Sequence, residues 1–95
     1  MKTSDWDIAE FIESKEDVIA HLAVALEEND IDFLLSVLNA LARSKGMAQI
    51  AADLGVTREG LYKTLSPGSN PAFGTVMKTL DNLGFKLNIE LKKAS

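Results

Sequence analysis

Cysteine is absent, which removes disulfides, thiolate metal sites and cysteine nucleophiles. Proline occurs only twice and no tract is of low complexity, so disorder along the whole chain is not expected. No apolar run approaches the roughly 20 residues a membrane span needs. The start of the chain is acidic and polar, unlike a secretory leader, and the expected location is the cytoplasm. There is one histidine, His21, at the border of an apolar stripe with no ligand partner in the pattern. Acidic residues are scattered along the chain, no Gly-rich phosphate loop is present, and Ser66 and Ser69 have no adjacent base. General acid–base chemistry needs convergent groups, so neither catalysis, a cofactor nor a bound metal is expected.

What is present is ordinary for one globular domain: 95 residues, 46% hydrophobic and 25% charged. The net charge of −4 conceals a division. Residues 1–42 carry two lysines against ten acids, or −8, and residues 43–95 carry eight Lys/Arg against four acids, or +4. An acidic front half and a mildly basic back half offer surfaces to partners of opposite charge.

Ile8, Phe11 and Ile12 fall at i, i+3, i+4 and predict a short helix over 5–12, with Trp6 at its start. Ser14 and Asp17 have capping-box spacing, and Val18, Ile19, Leu22, Ala23 and Leu26 predict a helix that ends near Asn29. Asp30 or Asp32 can cap the next helix, whose buried face would be Phe33, Leu34, Val37, Leu38 and Leu41, with Gly46 closing it. After a Pro/Gly loop, Asn70 and Pro71 are expected as N-cap and first residue of a last helix. Phe73, Val76, Met77, Leu80 and Leu83 would be its apolar face, and Gly84 its end. Phe85, Leu87, Ile89 and Leu91 then alternate with polar residues, a strand pattern over 85–92. No second strand is visible in the sequence, so that strand would pair with a twofold mate or with another protein's sheet.

Residues 47–66 satisfy the demands of a helix-turn-helix together. Ala51 is small where the second helix must cross, Gly55 supplies a left-handed turn, Val56 would plug inward and Thr57 would cap the second helix. Ile50, Leu54, Leu61 and Leu65 take the inward positions. Arg58, Glu59, Tyr62 and Lys63 would then be exposed toward duplex DNA, with Arg58 matched to guanine and Glu59 to cytosine. Gln49, Thr57, Tyr62, Ser66 and Ser69 are candidates for phosphate contacts, and Asn70 for one more. Gly60 sits inside a helix at a cost of about 1 kcal/mol relative to alanine, which implies a close neighbour there.

The run from Ala48-Gln49-Ile50-Ala51 to Leu65 resembles the Cro and phage-repressor class of helix-turn-helix. The longer pattern is similar to the addiction-module antidote family, the DNA-binding antitoxins paired with RelE/ParE-like toxins. It is carried by Asp7-Ile8-Ala9-Glu10, Leu26-Glu27-Glu28-Asn29-Asp30, Ala40 to Met47, Arg58 to Ser66, and Asn70 to Val76 with Leu83-Gly84. Arg58-Glu59-Gly60-Leu61-Tyr62-Lys63 is its most specific piece, and His21 stands where a tyrosine is expected. The resemblance implies an all-α bundle of about five helices, of lambda-repressor type, to which the alternation over 85–92 adds a short C-terminal strand. It also implies toxin neutralisation, repression of its own operon, and a homodimer on a palindromic operator. The acidic N-terminal helices suit a small basic toxin, which places Glu10, Glu13, Glu16 and Asp17 as its contacts. A stand-alone repressor and a helical interaction module that never touches DNA are the alternatives.

Overall fold

The computed structural model describes residues 14–92. The helix expected over 5–12, including Trp6, lies outside them. The described residues form five helices and no strand: α1 (Lys15–Glu27), α2 (Ile31–Lys45), α3 (Met47–Leu54), α4 (Arg58–Thr64) and α5 (Phe73–Asn82).

Local chemistry sets where each helix starts and stops. Asp17 N–H donates to Ser14 Oγ at 3.2 Å, and Phe33 N–H to Asp30 Oδ1 at 3.0 Å, so Asp30 is the cap of α2. Asp32 instead accepts from Gly68 N–H at 2.9 Å and ties the loop after α4 to the start of α2. Three helices end alike. Asn29, Gly55 and Gly84 take φ of 54°, 77° and 93°. The next residue's N–H then reaches back over the last turn: Asp30 to Ala25 O, Val56 to Ala51 O and Phe85 to Leu80 O, at 2.8–2.9 Å.

α2 contributes the largest share of the core, and α3 is the helix that meets α2, α4 and α5. Leu34, Leu35, Val37, Leu38, Asn39, Ala40 and Ala42 are all buried, a band too wide for the single stripe read from periodicity. Val18, Leu22 and Ala25 of α1 lie against α2, and the core continues through Met47, Ile50 and Ala51 of α3 to Leu61 and Leu65 of the α4 region and Leu80 of α5. Buried Asn39 accepts from Arg43 Nε at 2.8 Å, and buried Thr79 donates to Thr75 O at 2.7 Å, so neither polar side chain is left without a bond. His21 Nδ1 donates to Asp17 O at 2.6 Å, with its ring 6.1 Å from Phe33, which gives it a structural place.

Several expectations need correction. α5 begins at Phe73 with Ala72 as N-cap and no side-chain cap bond, so Asn70 and Pro71 stay in the loop. Thr79 and Leu80 face the core, while Phe73 and Met77 lie one row away and are exposed. On α1, Ile19, Ala23 and Leu26 flank the buried row instead of joining it. Val56 is exposed; its N–H is spent in the α3 closure, and the side chain turns to solvent. Residues 85–92 form no strand. Alternation fits any extended chain, and these residues have no ladder to join among the described residues. Phe85 packs against the core, Leu87 sits at the exposed margin, and Ile89 and Leu91 are 99% and 94% exposed.

A small polar network joins α2, α3 and α5. Asp53 accepts from Asn82 Nδ2 at 2.9 Å and from Gln49 Nε2 at 3.0 Å, while Lys45 Nζ donates to the Asn82 carbonyl. The Asn82 bond first, then Gln49, and also the Lys45 charge hold the Asp53 carboxyl below its ordinary 3.8. A lowered folded-state value stabilises the fold above the ordinary value, and that contribution is lost as pH falls through the lowered one. The gap in thermal midpoint between wild type and Asp53→Ala is therefore expected to be constant near neutrality and to narrow as pH falls below 3.8. A gap independent of pH in that range would remove Asp53 as its source.

Candidate nucleic-acid interface

α3 stops at Leu54, three residues turn the chain, and α4 starts at Arg58. Gly55 makes the turn possible: at φ 77°, ψ 28° it occupies the left-handed region that a Cβ disfavours. Thr57 then caps α4, its hydroxyl accepting from Gly60 N–H at 2.9 Å. Ile50, Ala51, Leu61 and Leu65 are buried and Leu54 is half-buried, which fixes both helices to the core as the spacing implies.

With Leu61 inward, Glu59 and Lys63 take the opposite side of α4, Tyr62 its flank and Arg58 its first turn, and all four are exposed. Two cations, one carboxylate and one phenol stand there with their donors and acceptor turned to solvent. This set can donate to anions and guanine edges and accept from an amine, and its side chains sit on a packed helix instead of a loop.

The flanking candidates are placed differently. Gln49 is exposed, but its amide is engaged with Asp53. Ser66 Oγ donates to Tyr62 O at 2.8 Å and Ser69 Oγ to Thr64 O at 2.6 Å, so both hydroxyl protons point into the fold. The loop amides are occupied too: Ser66 N–H by Lys63 O, Gly68 N–H by Asp32 and Ser69 N–H by Ser66 O. Asn70 is exposed beyond this loop, away from a helix start. Of the acidic candidates, Glu16 is exposed and Asp17 half-buried in the first turn of α1; Glu10 and Glu13 lie outside the described residues. Among the described residues no group of acidic and histidine side chains is placed to hold a metal ion, and no helix is long and apolar enough to cross a membrane.

Periodicity missed one surface. Ile19, Leu26, Ile31, Phe73 and Leu87 line an open apolar groove of about 600 Å³ between α1, the start of α2, α5 and the chain after it. The apolar pattern had assigned Ile19, Leu26 and Phe73 to the core. A helix with two adjacent apolar rows has to bury one and offer the other, and only packing decides which.

Residues 2–91 match the family described as "Probable addiction module antidote protein". An uncharacterized protein of Haemophilus influenzae (strain ATCC 51907 / DSM 11121 / KW20 / Rd) is 43% identical over 86 residues, covering 90% of this chain and 89% of that protein. No solved structure matches. The chain belongs to the addiction-module antidote family, and its expected partner is a toxin.

Gly60 also finds its explanation here. A Cβ added at Gly60 would meet Thr57 Oγ1 at 2.9 Å, so the N-cap hydroxyl occupies the space that alanine would fill. Alanine would gain about 1 kcal/mol in helix propensity and lose a cap worth about the same. Gly60→Ala is expected to leave stability within about 1 kcal/mol of wild type, but to stabilise a Thr57→Ala background by about 1 kcal/mol. Urea unfolding of the four proteins in this cycle measures the coupling; equal effects in both backgrounds would dissolve it.

Proposed function

We propose that this antidote is a DNA-binding protein whose α4 is the recognition helix of a helix-turn-helix of Cro and phage-repressor type. The observation that carries the reading is the exposed quartet Arg58, Glu59, Tyr62 and Lys63 on a helix anchored to the core by Leu61. Arg58, in the first turn, is matched to guanine O6 and N7 in a major groove. Glu59 is matched to cytosine N4 and rejects a misplaced phosphate. Tyr62 and Lys63 lie a turn further on, toward base edges or the sugar–phosphate backbone. Thr57, Ser66 and Ser69 keep the positioning role the structure gives their hydroxyls, and Gln49 reaches phosphate only by leaving Asp53.

In this reading a homodimer places two such helices about 34 Å apart on a palindromic operator and represses its own operon. It also neutralises a RelE/ParE-like toxin through the acidic front half, with Glu10, Glu13, Glu16 and Asp17 as contacts. The division of charge along the chain supports both surfaces: α4 falls in the basic half, and the proposed toxin contacts fall in the acidic half.

The DNA arm is tested by titrating duplex from upstream of the gene against scrambled duplex at two salt concentrations, with wild type, Arg58→Ala and Lys63→Ala. Sequence-specific binding that weakens with salt is expected. Losing the Arg58–guanine pair should cost about 1–3 kcal/mol and most of the specificity. Absence of preference with or without the neighbouring gene's product would leave an interaction module that does not read DNA. The toxin arm predicts that Glu10→Lys, Glu13→Lys and Glu16→Lys together slow association with that product about tenfold or more at low salt. Stopped-flow mixing reads the rate, and an unchanged rate would move the toxin contact elsewhere.

A further inference from the structure

We propose that the apolar groove between α1, α2 and α5 is the seat of this chain's own residues 5–12. The groove presents a surface that a soluble domain does not normally leave bare. Ile19, Ile31 and Phe73 on its walls are 54%, 55% and 68% exposed, and Leu26 and Leu87 continue the same lining. On α1 the open row is Ile19, Ala23 and Leu26, at i, i+4, i+7, so it runs as one apolar strip along the helix.

The chain supplies a matching occupant at the right place. Residues 5–12 carry Ile8, Phe11 and Ile12 on one helical side, an apolar stripe that needs cover. The segment enters α1 directly through Glu13 and the N-cap Ser14. Eight helical residues span about 12 Å, and Ser14 to Ala23 along α1 is about 14 Å. A segment turning back at residues 13 and 14 therefore reaches the Ile19–Ala23 stretch without a long linker. Asp5 and Asp7 would travel with it toward the rim, where Lys86 lines the groove. Residues 5–12 also belong to the unit shared with the family, since the match begins at residue 2.

Seating through Ile8, Phe11 and Ile12 turns Glu10 to the opposite side of the segment, where it extends the acidic surface begun by Glu16. That consequence rests on the toxin reading above, whereas the seat itself does not.

The test uses the full chain with neither toxin nor DNA, so its failure is separate from failure of the functional reading. Because the chain has no cysteine, Ile8→Cys and Ile19→Cys introduced together report on one contact only. Oxidation of a mixed light and heavy isotope sample should give disulfides within single chains. In wild type, amide exchange over residues 5–12 should be slowed about tenfold or more relative to an unstructured chain. Ile19→Ser should abolish that protection and shift the emission of Trp6, the sole tryptophan, or its quenching by iodide. If Ile19 were merely a solvent-facing residue, the same substitution would leave both readings unchanged, which would overturn the proposal. Mixed-isotope disulfides would overturn it in favour of a second copy as occupant, and free exchange over 5–12 in wild type would overturn it outright.

Discussion

Everything presented by α4 depends on a reversal of the chain within three residues. Gly55 absorbs it by taking a left-handed backbone, Val56 contributes its N–H to the closure of α3, and Thr57 opens α4 with its hydroxyl. The left-handed turn disfavours a Cβ at 55, and the cap geometry crowds one at 60. The cost is local, two glycines in a span of a few residues, and the return is a short helix held at a fixed orientation. A seven-residue helix would not persist alone in water. Leu61 and Leu65, both buried, supply the stability that its length does not.

The sequence was most legible where one residue type answers one backbone demand. Ser14, Gly55, Thr57 and Gly84 could be assigned in advance because caps and left-handed turns admit few side chains. It was least legible where apolar residues outnumber buried positions. α2 buries more than one stripe, and α1 and α5 bury less than their apolar content, so the pattern named Phe73 and Ile19 as core and overlooked Leu35. The strand expected over 85–92 failed for a different reason. Period 2 describes side chains, whereas a strand exists only when its backbone finds a ladder, and that information is not in the segment. For the interface, the exposed quartet on α4 followed from spacing alone, but the inward bonds of Ser66 and Ser69 depend on how the loop folds over the end of α4.

The two halves of the chain differ in charge. The acids at the start of α1 and α2 lie where helix dipoles favour them, so Glu16, Asp17 and Asp32 are compatible with the fold while giving the front half its sign. The cations of the back half are thinly spread, and on α4 they are accompanied by Glu59. If α4 meets a polyanion as proposed, a surface of that kind would gain little from bulk attraction and would rely on matched contacts. An acidic protein that reads DNA this way would hold weakly to arbitrary sequence.

The repeated left-handed closures at Asn29, Gly55 and Gly84 also bear on how the chain reaches this structure. A helix that is started and stopped by residues within its own reach needs no distant segment to define its ends. The side-chain hydrogen bonds that span the sequence are few and exposed: Asp32 to Gly68, and the Lys45–Asn82–Asp53 network. Such a topology has low contact order, so little loop-closure entropy stands in the way of the first productive contacts. Assembly on the microsecond-to-millisecond scale follows, about the rate of other small helical domains.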